Sequence, residues 1–465
     1  MDNSPNTPCS FGTKDKIGYM LGNVANDFTF VFASLYLQVF YTDVLGIKAA
    51  LVGTMFLIAR IVDAFTDTAM GRICDRTKAT KNGKFKPWLL RACGPVALAS
   101  FLMYQAWAVN LPMPLRVVYM FVTYFLWGSI CYTCINIPYG SMASVMSNEP
   151  DHRASLSTFR GVGSMFPQIL IGVVVPLFLY TTTPEGAKIA NGSLFPTIAL
   201  IFSFLAVICY VACYFMCTER VRLTENQKGL SFKQTLKALS CNRALIGISI
   251  VLVAFLGAQM LNQTINNYIF KDYFGDTTGL SIMNAAGFVP LLLLSPLAVP
   301  LARRFGKKEL GVFASFVGAL AFAILFIIQT RNMWVYTVIN ILGLLGFGLF
   351  NLIIWAFVSD VIDDQEVRTG NRDDGTIYAV CSFARKLGQA IASALGAWTL
   401  AWIGYAEGSV TGQTETVKNG IYNIATLIPM ILYVTVGLCL LLLYPLSKKQ
   451  VNHNVEILKS RKHLW

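Results

Sequence analysis

Residues 195–217 read FPTIALIFSFLAVICYVACYFMC, an apolar run without a charged side chain. A helix of about 20 residues crosses the roughly 30 Å hydrocarbon core of a bilayer, so this run is long enough to span it. Two further runs, 89–109 and 421–445, are similarly long and apolar. Of the 465 residues, 55% are hydrophobic and 13% are charged, against about 25% charged residues in soluble domains. The sequence therefore predicts an all-α integral membrane protein.

Hydropathy predicts twelve membrane spans along the chain. They lie at 16–42, 48–71, 87–108, 115–140, 155–180, 195–217, 243–270, 279–302, 309–330, 334–359, 376–404 and 420–445. Lys and Arg concentrate in the second, sixth and eighth connections and in the tail after Pro445, and the odd-numbered connections are sparse in them. Because cytoplasmic loops of membrane proteins are enriched in Lys and Arg, both termini are predicted to be cytoplasmic. The net charge of +13 has the same explanation, so nucleic acid is not an expected partner.

The longest polar segment, 218–242, lies near the middle of the chain. It predicts a cytoplasmic linker between two six-helix halves, 1–217 and 243–445, followed by a basic cytoplasmic tail at 446–465. A basic turn follows the second predicted span, and another follows the eighth about half a chain later. Internal repeats of this kind occur in secondary transporters, whose sites lie near the bilayer midplane. We therefore expect a twelve-helix bundle of two pseudo-symmetric halves.

Ionisable side chains interrupt several predicted spans. The stretch RIVDAFTD places Arg60, Asp63 and Asp67 on one helical face, because they are three and four residues apart. Three more ionisable residues lie in the first, fifth and eleventh spans: Asp27, Arg160 and Lys386. A charge at the centre of a membrane helix costs about 2.5–3.5 kcal/mol on insertion scales, so such residues are functional candidates.

These charges have two explanations. The three acids balance the three bases, so the set could be a salt-bridge network that joins helices. Against this, small apolar residues would join helices without desolvating charges. Asp63 and Asp67 also repel each other unless they share a proton or bind a cation, which favours a coupling site with Arg60 in its charge network. All three histidines lie outside the spans, so a transported proton would reside on a carboxylate.

Uncharged polar residues form a second group of candidates. Gln259, Asn262 and Asn266 lie along one face of the seventh span, and Trp355 lies on the tenth. Amides that face a cavity near an aromatic ring suit a sugar, whose hydroxyls need donors and acceptors and whose ring stacks on aromatic side chains. The alternative is hydrogen bonding between helices.

The tenth span ends in VSDVIDDQEVRTGNRDDG, residues 358–375, which is acidic where a basic segment is expected. Ion pairs between this segment and the basic second and eighth connections would join the halves and break when the inward side opens. The predicted gate residues are Asp75, Arg76, Asp360, Asp363, Glu366 and Arg368. The alternative is a solvated loop.

Features of an enzyme or a resident metal site are missing from the sequence. Cys131 and Cys134 form a C-x-x-C inside a span, without a second pair or a histidine to complete a metal site. No nucleophile and base are placed together, and no histidine lies in a span. We therefore expect neither catalysis nor a cofactor, although Asp63 and Asp67 could bind Na⁺ transiently.

With these motifs the sequence resembles the glycoside–pentoside–hexuronide:cation symporter family, a branch of the major facilitator superfamily. The strings that carry the resemblance are YTDVLGI (41–47), RIVDAFTDTAMG (60–71), GKFKPW (83–88), INIPYGS (135–141), FRG (159–161), SDVIDDQEVRTGNR (359–372) and ARKLGQAI (384–391). They run from the first span to the eleventh. The likeness is greatest to the glucuronide and xyloside carriers of bacteria, and melibiose permease is a more distant relative.

The resemblance implies a role for each charged residue. Asp63 and Asp67 match the carboxylates of the family's cation site. Asp27 matches an acid that accepts sugar hydroxyls, Arg160 an arginine of the sugar cavity, and Lys386 a lysine beside both sites. Tyr139, within INIPYGS, is a further sugar-binding candidate.

The chain departs from melibiose permease at two positions. Asn136 replaces a third cation-site Asp, which favours H⁺ over Na⁺ although an amide oxygen can still coordinate a hard cation. Gly140 replaces a sugar-stacking Trp, which reshapes the sugar pocket. The resemblance thus implies a monomeric symporter in the cytoplasmic membrane of a bacterium that imports a glycoside, pentoside or hexuronide with H⁺ or Na⁺. The alternative is a proton-coupled exporter of other small solutes.

Overall fold

The computed structural model describes residues 11–77, 79–80, 83–147, 149–184, 187–220, 242–369, 374–409 and 412–462. The chain divides into two compact units. Unit 1 comprises Met1–Asn226 and Ala406–Thr411, and unit 2 comprises Gln227–Tyr405 and Gly412–Trp465. Most of the predicted linker, 221–241, lies outside the described residues, so its boundaries stay a prediction.

The described residues of unit 1 form six long helices. They are α1 (Thr13–Val39), α2 (Ala49–Arg76), α3 (Lys86–Leu102), α4 (Met113–Met146), α5 (Pro150–Ile169, continued by a π-helical turn at Leu170–Val174 and by Val175–Leu179) and α6 (Leu194–Met216). A short antiparallel hairpin of β1 (Tyr180–Thr182) and β2 (Lys188–Ala190) joins α5 to α6, with Tyr180 opposite Ala190. The segment Ala406–Thr411 also belongs to this unit, and its Glu407 Oε1 accepts a hydrogen bond from Ala49 N at 2.8 Å at the start of α2.

The described residues of unit 2 form six further long helices and a shorter C-terminal helix. They are α7 (Arg243–Tyr268), α8 (Thr277–Ala286 and Val289–Phe305), α9 (Lys307–Ile328), α10 (Met333–Thr369), α11 (Asp374–Trp402), α12 (Glu415–Leu442) and α13 (Lys448–Lys462). Basic side chains bind the last carbonyls of α12: Arg243 Nη2 reaches Leu442 O at 2.7 Å and Lys308 Nζ reaches Leu441 O at 3.3 Å. Cations at this end stabilise a helix because its last carbonyls are unpaired and its dipole is negative there.

Eight of these helices, counted within the described residues, are long and apolar enough to cross a bilayer: α2, α4, α5, α6, α7, α9, α10 and α12. The remaining four predicted spans correspond to α1, α3, α8 and α11. Of these, α3 has 17 residues and α8 is interrupted at Gly287. The other two carry polar residues in their middle turns, Asp27 in α1 and Lys386 in α11.

The surface of α9 shows why these helices suit a bilayer. Phe313, Leu320 and Ile327 are seven residues apart, and their exposed fractions are 65%, 62% and 78%. A stripe of large exposed apolar side chains is unfavourable in water but suits lipid. Where α9 packs against α10, a Cβ added at Gly346 of α10 would have no room beside the backbone of Ala314 of α9. Small residues allow membrane helices to approach this closely.

The first helix of each unit ends in the same way. A π-helical turn at Phe40–Val44 follows α1, and another at Ile269–Tyr273 follows α7. Two residues after each turn comes a glycine with positive φ, 65° at Gly46 and 66° at Gly275, a conformation that glycine adopts without strain. The underlying sequences, FYTDVLG (40–46) and IFKDYFG (269–275), form an internal repeat that the sequence analysis missed.

Candidate functional site

Two carboxylates of α2 each accept a hydrogen bond from a hydroxyl of α4. Ser129 Oγ lies 2.5 Å from Asp63 Oδ1, and Thr133 Oγ1 lies 3.1 Å from Asp67 Oδ1. The acids and the hydroxyls are both four residues apart, so the two contacts are successive rungs between the helices. Both predicted cation-site acids therefore point at α4 inside unit 1, and each has an adjacent hydroxyl oxygen.

Arg60 lies one turn before Asp63 on α2. Its Nη1 is 3.4 Å from Asp63 Oδ2, and both side chains are largely buried. The guanidinium offsets one of the two carboxylate charges in the middle of this helix, those of Asp63 and Asp67. The predicted charge network is therefore present within α2.

A second polar group joins α1 to α5 through Asn23. Arg160 Nε donates to Asn23 Oδ1 at 2.9 Å. Asn23 Nδ2 donates to Asp27 Oδ2 at 2.8 Å and to Ser164 Oγ at 2.6 Å. The structure thus brings together Asp27 and Arg160, both predicted for the sugar site, by way of an amide that is 3% exposed.

Tyr139 supports Arg160 from α4. The Tyr139 hydroxyl donates to Tyr19 O at 2.6 Å, and the two rings stack with centroids 4.7 Å apart. The guanidinium carbon of Arg160 lies 5.6 Å from the Tyr139 ring centroid, within the ~6 Å range of a cation–π interaction. Tyr139 is fully buried, and its predicted contact with a sugar stays a prediction.

The two residues of α4 that differ from melibiose permease in the sequence comparison, Asn136 and Gly140, have different surroundings. Asn136 is half-buried, three residues after Thr133. Gly140 is exposed, and a Cβ added there would meet no heavy atom within 4 Å. There is therefore open space beside α4 at the position where the resemblance places a sugar-stacking Trp.

The predicted polar residues of unit 2 have separate surroundings. Asn266 Nδ2 donates to Asn262 Oδ1 at 2.9 Å, and Tyr336 of α10 donates to Asn266 Oδ1 at 3.3 Å. Both amides are buried. Asn266 is bonded to another helix of unit 2 and Asn262 to its own helix, and their predicted contact with a sugar stays a prediction. Gln259 is half-buried on α7 and Lys386 is exposed on α11. The side chain of Trp355 lies outside the described residues.

Two residues of the predicted cytoplasmic gate, Asp360 and Arg368, form ion pairs within unit 2. Asp360 does pair with the eighth connection, through Lys307 Nζ at 2.5 Å, but both residues belong to unit 2. Arg368 Nε pairs with Asp364 Oδ2 at 2.7 Å, and Asn454 of α13 donates to Asp364 Oδ1 at 3.0 Å, again within unit 2. The Lys307–Asp360 pair thus joins α9 to α10 within unit 2, whereas Arg368 and Asp364 pair along α10 itself.

The remaining predicted gate residues are Asp363, Glu366, Arg76 and Asp75. Asp363 and Glu366 are half-buried in the same turns of α10, and Arg76 is exposed at the end of α2. The side chain of Asp75 lies outside the described residues. Their predicted gating role stays a prediction.

A family model described as "MFS/sugar transport protein" matches residues 18–448. The chain belongs to this family. The predicted class is thereby confirmed: the family and the relatives below are membrane transporters, not enzymes. The chain is a multi-pass transporter of the glycoside–pentoside–hexuronide type within the major facilitator superfamily.

Three relatives align over most of their length. The glucuronide carrier protein homolog of Escherichia coli (strain K12) is 30% identical, over 96% of this chain and 95% of its own. The isoprimeverose transporter of Lactiplantibacillus pentosus is 32% identical, over 84% and 80%. The putative 2,3-dihydroxypropane-1-sulfonate exporter of Salmonella typhimurium (strain LT2) is 30% identical, over 97% and 96%.

Solved structures confirm the fold. A D-xylose-proton symporter superposes with a TM-score of 0.63 at 15% identity, over 92% of this chain and 97% of that one. At this identity the likeness concerns the fold alone. It confirms the predicted major facilitator architecture.

Proposed function

We propose that this transporter imports a glycoside, pentoside or hexuronide together with H⁺ across the cytoplasmic membrane of a bacterium. The observation that carries the proposal is the charge inside unit 1. In their central turns, α1, α2 and α5 hold Asp27, Asp63 and Asp67 against Arg60 and Arg160, an excess of one negative charge. The three acids and Arg60 are half-buried, whereas Arg160 is exposed. An excess charge that is partly removed from water is unfavourable unless a counter-charge binds. One cation per cycle neutralises this interior.

The proposed coupling is electrostatic. A cation bound at Asp63 and Asp67 removes their mutual repulsion and favours solute binding at Asp27 and Arg160. Because coupling between two sites is reciprocal, the solute also tightens cation binding. One charge moving through 100 mV releases about 2.3 kcal/mol, enough for a roughly fifty-fold solute gradient. The loaded carrier then opens to the cytoplasm, with Lys386 as a further predicted member of the coupling site.

Two features support H⁺ over Na⁺ as the coupling ion. Asn136 replaces a charged ligand, which leaves two carboxylates on α2. In addition, the Arg60 guanidinium lies 3.4 Å from Asp63, and a Na⁺ ion beside it would be repelled by a like charge. A proton neutralises a carboxylate without placing a second cation there.

Two features support a hydroxylated solute. Asp27 offers acceptors and Arg160 offers donors, the two functions that a sugar hydroxyl needs from a site. Gly140 lies beside open space, which admits a ring. The uronate of a hexuronide would pair with Arg160 through charge-assisted hydrogen bonds. Because this network lies within one chain, we propose that the transporter acts as a monomer. We also propose that both termini lie in the cytoplasm.

Uptake into proteoliposomes tests the proposal. Purified transporter is supplied with labelled xylosides, glucuronides and galactosides under an imposed H⁺ gradient, an imposed Na⁺ gradient or neither. We expect one solute class to accumulate under the H⁺ gradient and to equilibrate without it. Accumulation driven by Na⁺ alone would overturn the choice of ion, and no accumulation under either gradient would overturn symport.

Export is a second candidate function, favoured by the likeness to a putative exporter of a dihydroxylated sulfonate. Such a solute has hydroxyls for Asp27 and an anion for Arg160. Vesicles in which the transporter has a single known orientation separate the two directions. A gradient-driven loss of preloaded solute from the side that corresponds to the cytoplasm would favour export.

A further inference from the structure

The amide of Asn23 has one orientation that satisfies its neighbours. Its oxygen faces Arg160 Nε at 2.9 Å, and its nitrogen faces Asp27 Oδ2 at 2.8 Å and Ser164 Oγ at 2.6 Å. Reversing the amide would set an NH₂ group against a guanidinium and an oxygen against a carboxylate, so two donors and two acceptors would oppose each other. Asn23 is thus held between a cation that needs an acceptor and an anion that needs a donor.

Asp27 and Arg160 do not pair directly. Within the part of the chain that the structure describes, no ion pair of 4 Å or less joins them. They are connected through the Asn23 amide instead, which is nearly fully buried. Arg160 itself is exposed, so the guanidinium stays accessible although an acid lies close by.

The backbone explains how one short side chain reaches both groups. Asn23 and Asp27 are four residues apart on α1, as are Arg160 and Ser164 on α5, so the two pairs face each other across the helix contact. Between the α5 pair lies Gly163, where an added Cβ would come within 3.0 Å of the Met20 carbonyl oxygen. The glycine therefore lets α1 and α5 approach closely enough for the amide to contact both helices.

We propose that Asn23 is a positioning residue that keeps Asp27 and Arg160 apart, so that one hydroxylated solute can bind both. The proposal rests on the function proposed above and deepens it. A direct Arg–carboxylate pair is a strong bidentate contact, which an entering solute would have to break. With a neutral amide between them, the acid keeps an oxygen for a solute hydroxyl and the guanidinium keeps its terminal NH₂ groups.

Asn23→Leu tests the proposal, because leucine has a similar volume and no polar group. We expect the solute KM to rise on the order of tenfold or more, since Asp27 and Arg160 then bind each other in competition with the solute. The maximal rate and the pH dependence of uptake at saturating solute should change less than twofold, because Asp63 and Asp67 are untouched. A damaged fold would instead lower the maximal rate at unchanged KM.

Asn26→Leu is the matched control. Asn26 lies on the same helix and is equally buried. Its side chain accepts a hydrogen bond from Tyr210 at 2.7 Å, and within the described residues it makes none to Asn23, Asp27 or Arg160. We expect a lower melting temperature and a KM within twofold of the native value. Equal KM shifts in the two variants, or an unchanged KM in Asn23→Leu, would overturn the positioning role.

A structure of the Asn23→Leu variant supplies a readout that needs no substrate. Asp27 and Arg160 should approach within 4 Å in it. If they stay apart, Asn23 does not separate them and the inference is wrong, whatever the transport results are. If they pair but the native transporter moves none of the sugars tested, the proposed function fails while the positioning role stands.

Discussion

Replacing Asp67 by Asn tests the electrostatic basis of coupling. The amide has the shape of the carboxylate, and Thr133 Oγ1, 3.1 Å away, can still donate to its oxygen. The local fold should therefore be preserved. The excess charge of the unit 1 interior, however, changes from one negative charge to zero, so a cation is no longer needed to neutralise it.

The expected loss follows from the membrane potential. A coupled carrier gains about 2.3 kcal/mol per charge from 100 mV, which corresponds to an approximately fifty-fold accumulation. Asp67→Asn should lower that ratio to about one, while exchange of solute between the two sides continues because the solute-binding residues are intact. Proteoliposomes with an imposed gradient measure accumulation, and counterflow without a gradient measures exchange.

A carboxylate outside the network provides the control. Asp43, in the π-helical turn after α1, also accepts a hydrogen bond from a hydroxyl, Thr42 Oγ1 at 2.9 Å. Asp43→Asn should leave accumulation unchanged. Full accumulation by Asp67→Asn would refute the reasoning, and equal loss in both variants would show that the effect is not specific to the α2 acids.

Two further predictions concern stability in detergent. Gly22→Ala should lower the free energy of unfolding by about 1–3 kcal/mol, because the new methyl group would lie 2.5 Å from the Tyr139 ring. Gly94→Ala, which has open space around its Cβ, should be neutral or stabilising. Thermal unfolding of the two variants measures both effects, and equal shifts in melting temperature would contradict the prediction. Asp360→Asn should lower the free energy of unfolding by roughly 1–3 kcal/mol, because its ion pair with Lys307 is lost. This loss is smaller than for a fully buried pair, since Lys307 is 31% exposed. The double variant Asp360→Asn with Lys307→Gln should lose less stability than the sum of the two single variants. Strict additivity would show that the pair does not interact.

Much of the fold could be predicted from single helices. Twelve apolar segments of spanning length and a long polar segment near the middle are properties of the linear chain, and the family comparison confirms the architecture they predict. The π-helical turns after α1 and α7 could not be read from hydropathy, because a one-residue change in hydrogen-bond register leaves apolar composition unchanged. The repeated FYTDVLG and IFKDYFG carried a signal, which a direct comparison of the halves would have found.

The charged residues of the candidate site could be predicted from the sequence, but its neutral polar residues could not. Asp27, Asp63 and Arg160 are conspicuous because charge is costly in a membrane helix. Asn23 and Ser129 are not, because neutral polar residues in such helices also serve ordinary contacts between helices or with their own backbone. They became identifiable once the structure placed each within hydrogen-bond distance of a carboxylate.

The sequence alone determined that the chain spans a bilayer, which helices carry charge and which residues of one helix share a face, because these follow from composition and from the 3.6-residue period. Tertiary structure decided which neighbour each face meets. It directed Asp63 and Asp67 to hydroxyls of α4, Asn266 to Tyr336 of α10, and Asp360 to Lys307 of its own unit. The reason is that the rotation and spacing of packed helices depend on many small contacts across the bundle, which the pattern of a single helix does not contain.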